Sequence, residues 1–580
     1  YEIDNSCIFN DADTATLSRT PSEGGNRKTW TISLWAKFAI DASSGSALFG
    51  SGANSTEDAF AYIQTGGALD WIIRDSSTLR GRIITNRLFR DPSAWYHFVF
   101  RVDTTDATAG DRMRLYVNGV EETSFATDTQ PAEDTESTIN KVSTAQYIGL
   151  SRTDGGSNLW NGNLAEIHLI DGTALTSSSF GETNDEGVWV PKAYSGSYGT
   201  NGIHLKFQDS SALGDDTSGN GNDYTANNLA AADQRTDTPT NNQITFNYLN
   251  NQQSGGTLTE GNTVYSGPGT RTMVSLTANL PPTGKWAVAF SVNDVSTGNG
   301  WNFGITKSNN SNFGDAAGSN EDVGASDGIN MNPSGSEAFL YDYINSSSID
   351  PSQAITTSDE FWLAVDMATG KCFLGIYDAS ATAMVWIAAD SGVDGNPATG
   401  ANPSVTISDM IGSTDYTFAA GAKAPVLTLI RSADLDGTIP TGYTYFENIS
   451  DFPAPAVTDS STNFQAQLYA GNGTAIGSGG KAVTFDGNSA MQPDTVWIKN
   501  RSATDNHANY DAARGVTKEL HINESDAETT VAEGVTTFGS DGFTVGSDVG
   551  VNTNTENYVA WNWAAGNSGS SNTAGSINTP

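Results

Sequence analysis

The sequence predicts an all-β protein of stacked antiparallel sheets, and three observations predict it. Apolar residues recur with period 2 in segment after segment, turn residues interrupt at short intervals, and no stretch holds a 3.6-residue apolar period beyond about two turns. With 580 residues, three or four domains are expected at roughly 150 residues each.

The first strand signal is 30–38, where Trp30, Ile32, Leu34, Ala36 and Phe38 share one face. Thr31, Ser33 and Lys37 fall on the other, with Trp35 among them, which reads as a half-buried strand with a polar outer side. Segment 95–102 repeats the pattern through Tyr96, Phe98, Phe100 and Val102. The next strand, 113–117, runs into Asn118-Gly119, whose tolerance of positive φ suits a two-residue hairpin turn. Segment 164–170 ends at Asp171-Gly172.

A region rich in Ser, Gly, Asn, Asp and Thr follows. The division expected is a first sandwich over 1–193 and a connector over 194–256, the connector's other reading being that it completes the first domain. A second sandwich spans 257–451, with Trp286, Val288, Phe290 and Val292 alternating and a hairpin at 361–377 that turns through 367–370. Two prolines stiffen a linker over 452–463. A smaller C-terminal β domain covers 464–566, and a tail over 567–580 has almost no apolar residues.

Composition excludes several functions. Lys plus Arg number 28 against 66 Asp plus Glu, a formal net charge of -38 that repels phosphate backbones and anionic lipid, so neither nucleic acid nor a membrane is an expected partner. Aromatic residues at 10% are too many for a disordered chain. No apolar run approaches the ~18 residues of a membrane helix, and residues 1–4 show no basic, apolar leader pattern. Cys7 and Cys372 lie in different blocks, so no disulfide framework is expected.

Motifs for chemistry are sparse, and no catalytic residue is assigned. Gly284-Lys285, Gly370-Lys371 and Gly480-Lys481 lack the Ser or Thr of a phosphate-cradling loop. No pair among His97, His168, His204, His507 and His521 has a His-Glu-x-x-His spacing, and His97 and His168, within strand patterns, read as hydrogen-bonded structural histidines. Gly324-Ala-Ser-Asp-Gly328 lacks the strand and helix a nucleophile elbow requires. Glu524, Asp526 and Glu528 would share one face on a strand, as in paired-carboxylate glycosidases, but their polar surroundings read as a solvated loop.

Two groups are candidates for binding. Asp215, Asp216, Asn220, Asn222 and Asp223 crowd hard oxygen donors among glycines, a composition that suits calcium and equally an exposed turn. Trp561 and Trp563 lie two apart and share a strand face, either as a platform for sugar rings or as core anchors. Core is the expectation, with Tyr558 and Ala560 on the opposite face.

Several phrases carry resemblances to known families. The order 30–37, Trp95-Tyr-His-Phe-Val-Phe100, Arg114-Leu-Tyr-Val-Asn-Gly-Val120 and Leu159-Trp-Asn-Gly-Asn-Leu-Ala-Glu166 resembles the laminin-G-like, concanavalin-A-like jelly roll. Phe361-Trp-Leu-Ala-Val-Asp-Met-Ala-Thr-Gly-Lys371 is similar to a SPRY-like member of the same superfold. Asn26-Arg-Lys-Thr-Trp-Thr-Ile-Ser-Leu-Trp35, Gly199-Thr-Asn-Gly-Ile-His-Leu205, Asp216-Thr-Ser-Gly-Asn-Gly-Asn-Asp223, Asp494-Thr-Val-Trp-Ile-Lys-Asn-Arg501, Phe538-Gly-Ser-Asp-Gly-Phe-Thr-Val-Gly-Ser-Asp548 and 558–563 resemble phrases of tail-fibre and related virion-surface proteins of marine bacteriophages.

The resemblance implies tandem concanavalin-A-like jelly-roll sandwiches and a virion-surface protein made in the host cytoplasm. It also implies other virion proteins and a host cell-surface glycan as partners, and a homo-oligomer, taken as a trimer. Non-catalytic adhesion by a tail fibre is the expected work. Capsid decoration, as a head fibre for example, is one alternative, and a polysaccharide-degrading enzyme is a second.

Overall fold

The computed structural model describes residues 1–565 apart from 40–44, 153–157, 185–186, 252–255, 270–271, 296–299, 310–328, 335–336, 343–346, 350–352, 391, 455–456 and 458. The Gly324 to Gly328 motif and the tail over 567–580 lie outside the described residues. The chain divides into two compact units, Tyr1–Glu182 with Val190–Pro453, and Thr183–Trp189 with Ala454–Pro580.

The first unit holds two sandwiches. In the first, Thr29–Phe38 lies centrally between Trp95–Asp103 and Gly162–Asp171, and the sheet continues through Met113–Val117 and Val120–Glu121 on one side and Ser6–Phe9 and Gln234–Arg235 on the other. Asn118 and Gly119 take φ of 47° and 84°, the left-handed pair the hairpin requires. The facing sheet runs Phe125–Thr129, Thr78–Leu88, Ala68–Asp75, Glu57–Ile63, Ser46–Asn54, Gln146–Ile148, Thr16–Arg19 and Thr225–Asn227. Trp30, Ile32, Leu34 and Phe38 meet Phe49, Trp71 and Ile73 across the core, with Trp71 and Phe100 edge to face at 5.2 Å.

The connector region is built into this sandwich. Ile203–Leu205 pairs with Gly162–Asp171, Thr225–Asn227 with Thr16–Arg19, and Gln234–Arg235 with Ser6–Phe9. The chain after Asp171 also covers the outer face of the first sheet, where Val99, Tyr116, Ile170 and Phe180 form a second small core with Leu175, Tyr194 and Tyr198. The polar side expected for the central strand is therefore not at the surface: Thr31, Ser33, Trp35 and Lys37 are all buried. Lys37 Nζ donates to Asp237 Oδ2, Asn242 Oδ1 and the Gln243 carbonyl at 2.7–2.8 Å, and Asp237 Oδ1 accepts from Trp95 Nε1 at 3.0 Å.

From that ion pair the chain passes directly into the second sandwich, whose core includes Ile244 and Phe246. One sheet, among the described residues, orders Thr257–Thr259, Val264–Ser266, Val426–Leu429, Lys285–Val292, Glu360–Asp366, Lys371–Asp378 and Ala383–Ile387. The other orders Thr272–Ser275, Tyr416–Ala422, Trp301–Lys307, Ile329–Ser334, Glu337–Asp342 and Ser347–Ile349. Trp286, Val288, Phe290 and Val292 point inward as their period requires. The alternate Ala287 and Ala289 leave room for Trp362, Tyr443 and Tyr445 on the outside. Cys7 and Cys372 are both buried and are not joined in a disulfide.

The second unit packs a six-stranded sheet against a three-stranded one. The larger orders Phe464–Ala470, Asn557–Trp563, Thr495–Asn500, Ala508–Asp511, Lys518–His521 and Thr529–Thr530. The smaller orders Lys481–Thr484, Gly542–Val545 and Val535–Gly539. Between them lie Val496, Ile498, Tyr510, Phe543, Val545, Tyr558 and Ala560.

Candidate functional site

The strand Asn557–Trp563 presents two aromatic sets, and only one faces the smaller sheet. Tyr558, Ala560 and Asn562 are wholly buried, whereas Trp563 is 39% exposed and Trp561 half-buried beside it. The expectation that Trp561 and Trp563 anchor the core is thus corrected: they stand on the outer face. The physical reason is that Tyr558 and Ala560 pack into the core shared with the smaller sheet, where the polar groups of the inward set also find donors and acceptors. The Tyr558 hydroxyl donates to the Val549 carbonyl at 2.9 Å and accepts from Thr553 N at 2.8 Å, and Asn562 Nδ2 donates to the Gln465 and Ala560 carbonyls at 3.0 and 3.1 Å.

Strand register brings partners to the outward pair. Trp497 lies opposite Trp561, and Phe464 and Thr495 lie opposite Trp563. The Trp497 and Trp561 rings are 4.8 Å apart, Trp497 and Trp563 are 6.5 Å apart and within 17° of parallel, and Phe464 meets Trp563 at 5.1 Å. Trp497 is held by donating its Nε1–H to His507 Nδ1 at 3.0 Å. Polar groups border the rings in register, with Asn509 opposite Trp497 and Asp511 opposite Thr495. Arg514 fastens both, from Nε to Asp511 Oδ2 at 2.6 Å and from Nη2 to Asn509 Oδ1 at 3.0 Å. Flat rings bordered by an amide, a carboxylate and a guanidinium can stack on the C–H face of a sugar while hydrogen-bonding its hydroxyls. In the sequence His507 is weighed only for metal-ligand spacing and Trp497 only as part of the phrase 494–501, and neither they nor Phe464 are candidate site residues there, although Trp497 sits out of phase with Val496 and Ile498.

The Asp215 to Asp223 loop is organised by its own hydrogen bonds. Asp216 Oδ1 accepts from His204 N and Ser218 N, and Oδ2 from Ser218 Oγ and Asn222 N, all at 2.8–2.9 Å. Asp223 Oδ1 accepts from Asp216 N at 2.9 Å. Asn220 and Asn222 donate to the carbonyls of Gly199, Thr200 and Gly202, and Asn222 Oδ1 accepts from Arg19. Asp215 is exposed, and the carboxylates of Asp215, Asp216 and Asp223 do not all come within 4.8 Å of one another. Glu524, Asp526 and Glu528 lie in an exposed loop before the two-residue strand Thr529–Thr530 and share no strand face.

A different group of ionisable side chains does converge. Glu166, His168 and His204 bring their ligating atoms within 4.8 Å of one another in the buried outer layer of the first sandwich. The register of Gly162–Asp171 against Thr29–Phe38 shifts between Ala165 and His168, with Glu166 at φ 48°. This bulge lets Leu164, Ile167 and Leu169 all reach the core while Glu166 and His168 turn outward. Burial pushes the Glu166 carboxyl up, but the neighbouring His168 and His204 imidazoles outweigh burial and hold it well below the usual carboxylate range. Burial also pushes the His168 imidazole down to about 4.

Residues 10–179 match the family described as the Concanavalin A-like lectin/glucanases superfamily, and residues 459–580 match a family described as a domain of unknown function (DUF7483). Residues 10–179 thus have a laminin G-like, concanavalin A-like fold. No curated protein matches the chain. Among solved structures, a heptameric SAP-like pentraxin from Limulus polyphemus is 18% identical over 30% of this chain and 80% of its own, with a TM-score of 0.23. Domains LG4-5 of the mouse laminin alpha1 chain are 10% identical over 77% of this chain and 88% of theirs, with a TM-score of 0.25. Tailspike protein 2 of an Escherichia coli O157:H7 bacteriophage is 11% identical over 28% of this chain and 22% of its own, with a TM-score of 0.22.

Proposed function

We propose that the chain is a non-catalytic adhesin of a bacteriophage virion, a tail-fibre component that binds a host-surface glycan through the outer sheet face of its second unit. The observation that carries the reading is the open aromatic face of Trp497, Trp561, Trp563 and Phe464 with Asn509, Asp511 and Arg514 at its border. In this reading 257–451 is a SPRY-like spacer, and the chain works as a homotrimer among other virion proteins. Single sites of this size bind weakly, and several copies on one particle supply avidity. A net charge of -38 keeps such an assembly soluble and favours neutral or cationic sugars over acidic capsules.

The test is binding of fluorescently labelled oligomer to host cells and to a panel of their surface glycans. Trp561→Ala with Trp563→Ala should lower binding at least about tenfold, the scale of a lost stacking contact of one to two kcal/mol. Its far-ultraviolet circular dichroism should stay that of the parent, because both side chains lie outside the core. Undiminished binding by this folded variant rejects the site. Release of oligosaccharides from host capsule by the parent protein rejects the non-catalytic reading.

A further inference from the structure

We propose that Glu166, His168 and His204 form a binding site for one zinc ion, set into the outer layer of the first sandwich and independent of the aromatic face. Two imidazoles and a carboxylate are a donor set suited to zinc and poorly suited to calcium or magnesium, which prefer oxygen alone.

Two paired strands fix the three ligands. His168 and His204 are cross-strand partners in the antiparallel pairing of Gly162–Asp171 with Ile203–Leu205, and their rings stack at 4.2 Å. Glu166 comes to the same side through its bulge. Its Oε1 lies 2.8 Å from His204 Nε2 and 3.5 Å from His168 Nε2. Around a zinc ion with bonds near 2.0–2.1 Å, tetrahedral ligand atoms stand about 3.3 Å apart, so both carboxylate-to-imidazole separations are within roughly half an ångström of that spacing, and the two stacked imidazoles, within 4.8 Å of each other, would turn their rings to converge on the ion.

The second observation is the state of His168. It is 1% exposed, and its Nε2 is buried without a hydrogen-bond partner while pointing at the Glu166 carboxylate. Its other nitrogen, Nδ1, lies 3.0 Å from the Tyr198 hydroxyl. With Nδ1 engaged by Tyr198, Nε2 and a Glu166 carboxylate oxygen stand 3.5 Å apart in the interior, a place for a shared proton or for a cation between them. Such an outer hydrogen bond is also what orients a metal-ligating histidine. Phe180 and Tyr194 pack against His168, at 5.2 and 6.1 Å between rings, and keep bulk water from it. The Tyr1 hydroxyl reaches Glu166 Oε1 at 2.5 Å from a residue that is 50% exposed, which marks the side from which an ion enters. A bound ion would tie the two strands together where the chain after Asp171 folds back.

The full chain, stripped with EDTA, is incubated with excess zinc and gel-filtered. About one zinc per chain should remain, and the melting temperature should rise by several degrees with zinc but not with magnesium. Zinc-edge X-ray absorption of the loaded parent should show two imidazoles. Glu166→Gln and His204→Gln should each lose both the zinc and the shift, while His521→Gln keeps them. Should those variants fail to fold, the parent's spectrum decides: fewer than two imidazoles in the zinc shell overturns the site. Absence of retained zinc in the parent, or retention by folded His204→Gln, also overturns it and leaves a Tyr198–His168–Glu166 hydrogen-bonded chain only.

Discussion

His97 lies under the outer layer of the first sandwich, with Nε2 2.8 Å from Ser33 Oγ and its ring stacked on Trp35 at 4.7 Å. Burial, with a smaller contribution from His168, pushes its imidazole down to about 3. The unfolded chain takes up this proton near pH 6.5, so between about 6.5 and 3 it binds more protons than the folded chain, and stability falls as pH falls. The contribution is complete above the unfolded value. For this one group the loss from pH 7 to pH 5 is about 2 kcal/mol. Urea denaturation of His97→Gln should show a pH dependence flatter than the parent's by about that amount. An equal pH dependence in parent and variant would show that His97 is not held neutral in the fold.

At the scale of an element, the loop from Asp215 to Asp223 is organised around one carboxylate. Asp216 accepts four hydrogen bonds, and through His204 N it ties the loop to Ile203–Leu205, an edge partner of Gly162–Asp171. Asp216→Ala leaves those donors without their acceptor and should cost about 2–4 kcal/mol, since each unsatisfied buried group costs roughly 1–3. The check is the melting temperature of parent and variant, each with and without calcium. A destabilisation that is the same in both conditions identifies the hydrogen bonds as its cause. A calcium-dependent rise in the parent that the variant lacks would instead mean that an ion draws Asp216 out of those bonds.

For the first unit as a whole, the join between its sandwiches is a buried ion pair rather than a flexible tether. Burial pushes the Lys37 ammonium below its ordinary value, with Asp237 acting against that shift, and the lysine sits 4% exposed among three acceptors. Removing one member of a buried pair typically costs about 3–5 kcal/mol, because the other charge stays buried. Asp237→Ala should therefore lower stability on that scale and, by loosening the join, split one calorimetric transition of the first unit into two. Lys37→Met with Asp237→Leu, which leaves no orphaned charge, should recover much of the loss. A single unshifted transition in Asp237→Ala would mean that the two sandwiches are coupled elsewhere.

The sequence by itself determined strands such as 30–38, 95–102, 113–117 and 164–170 and the hairpin turn at Asn118-Gly119, because period-2 alternation and tolerance of positive φ are local properties. It also singled out Trp561 and Trp563, and their common face. It did not determine which way that face points: both phases of Asn557–Trp563 carry aromatics, and the choice rests on where the smaller sheet packs and on which polar groups find partners there. Lys37 looked solvent-facing for a related reason, since the segment that buries it lies some two hundred residues further along the chain. The Glu166, His168 and His204 cluster was hidden twice over, by a bulge that breaks the alternation and by a pairing between strands separated in sequence. Local preference writes the strands into the chain, whereas burial of a side chain belongs to whatever distant segment comes to cover it, and only tertiary packing decides that.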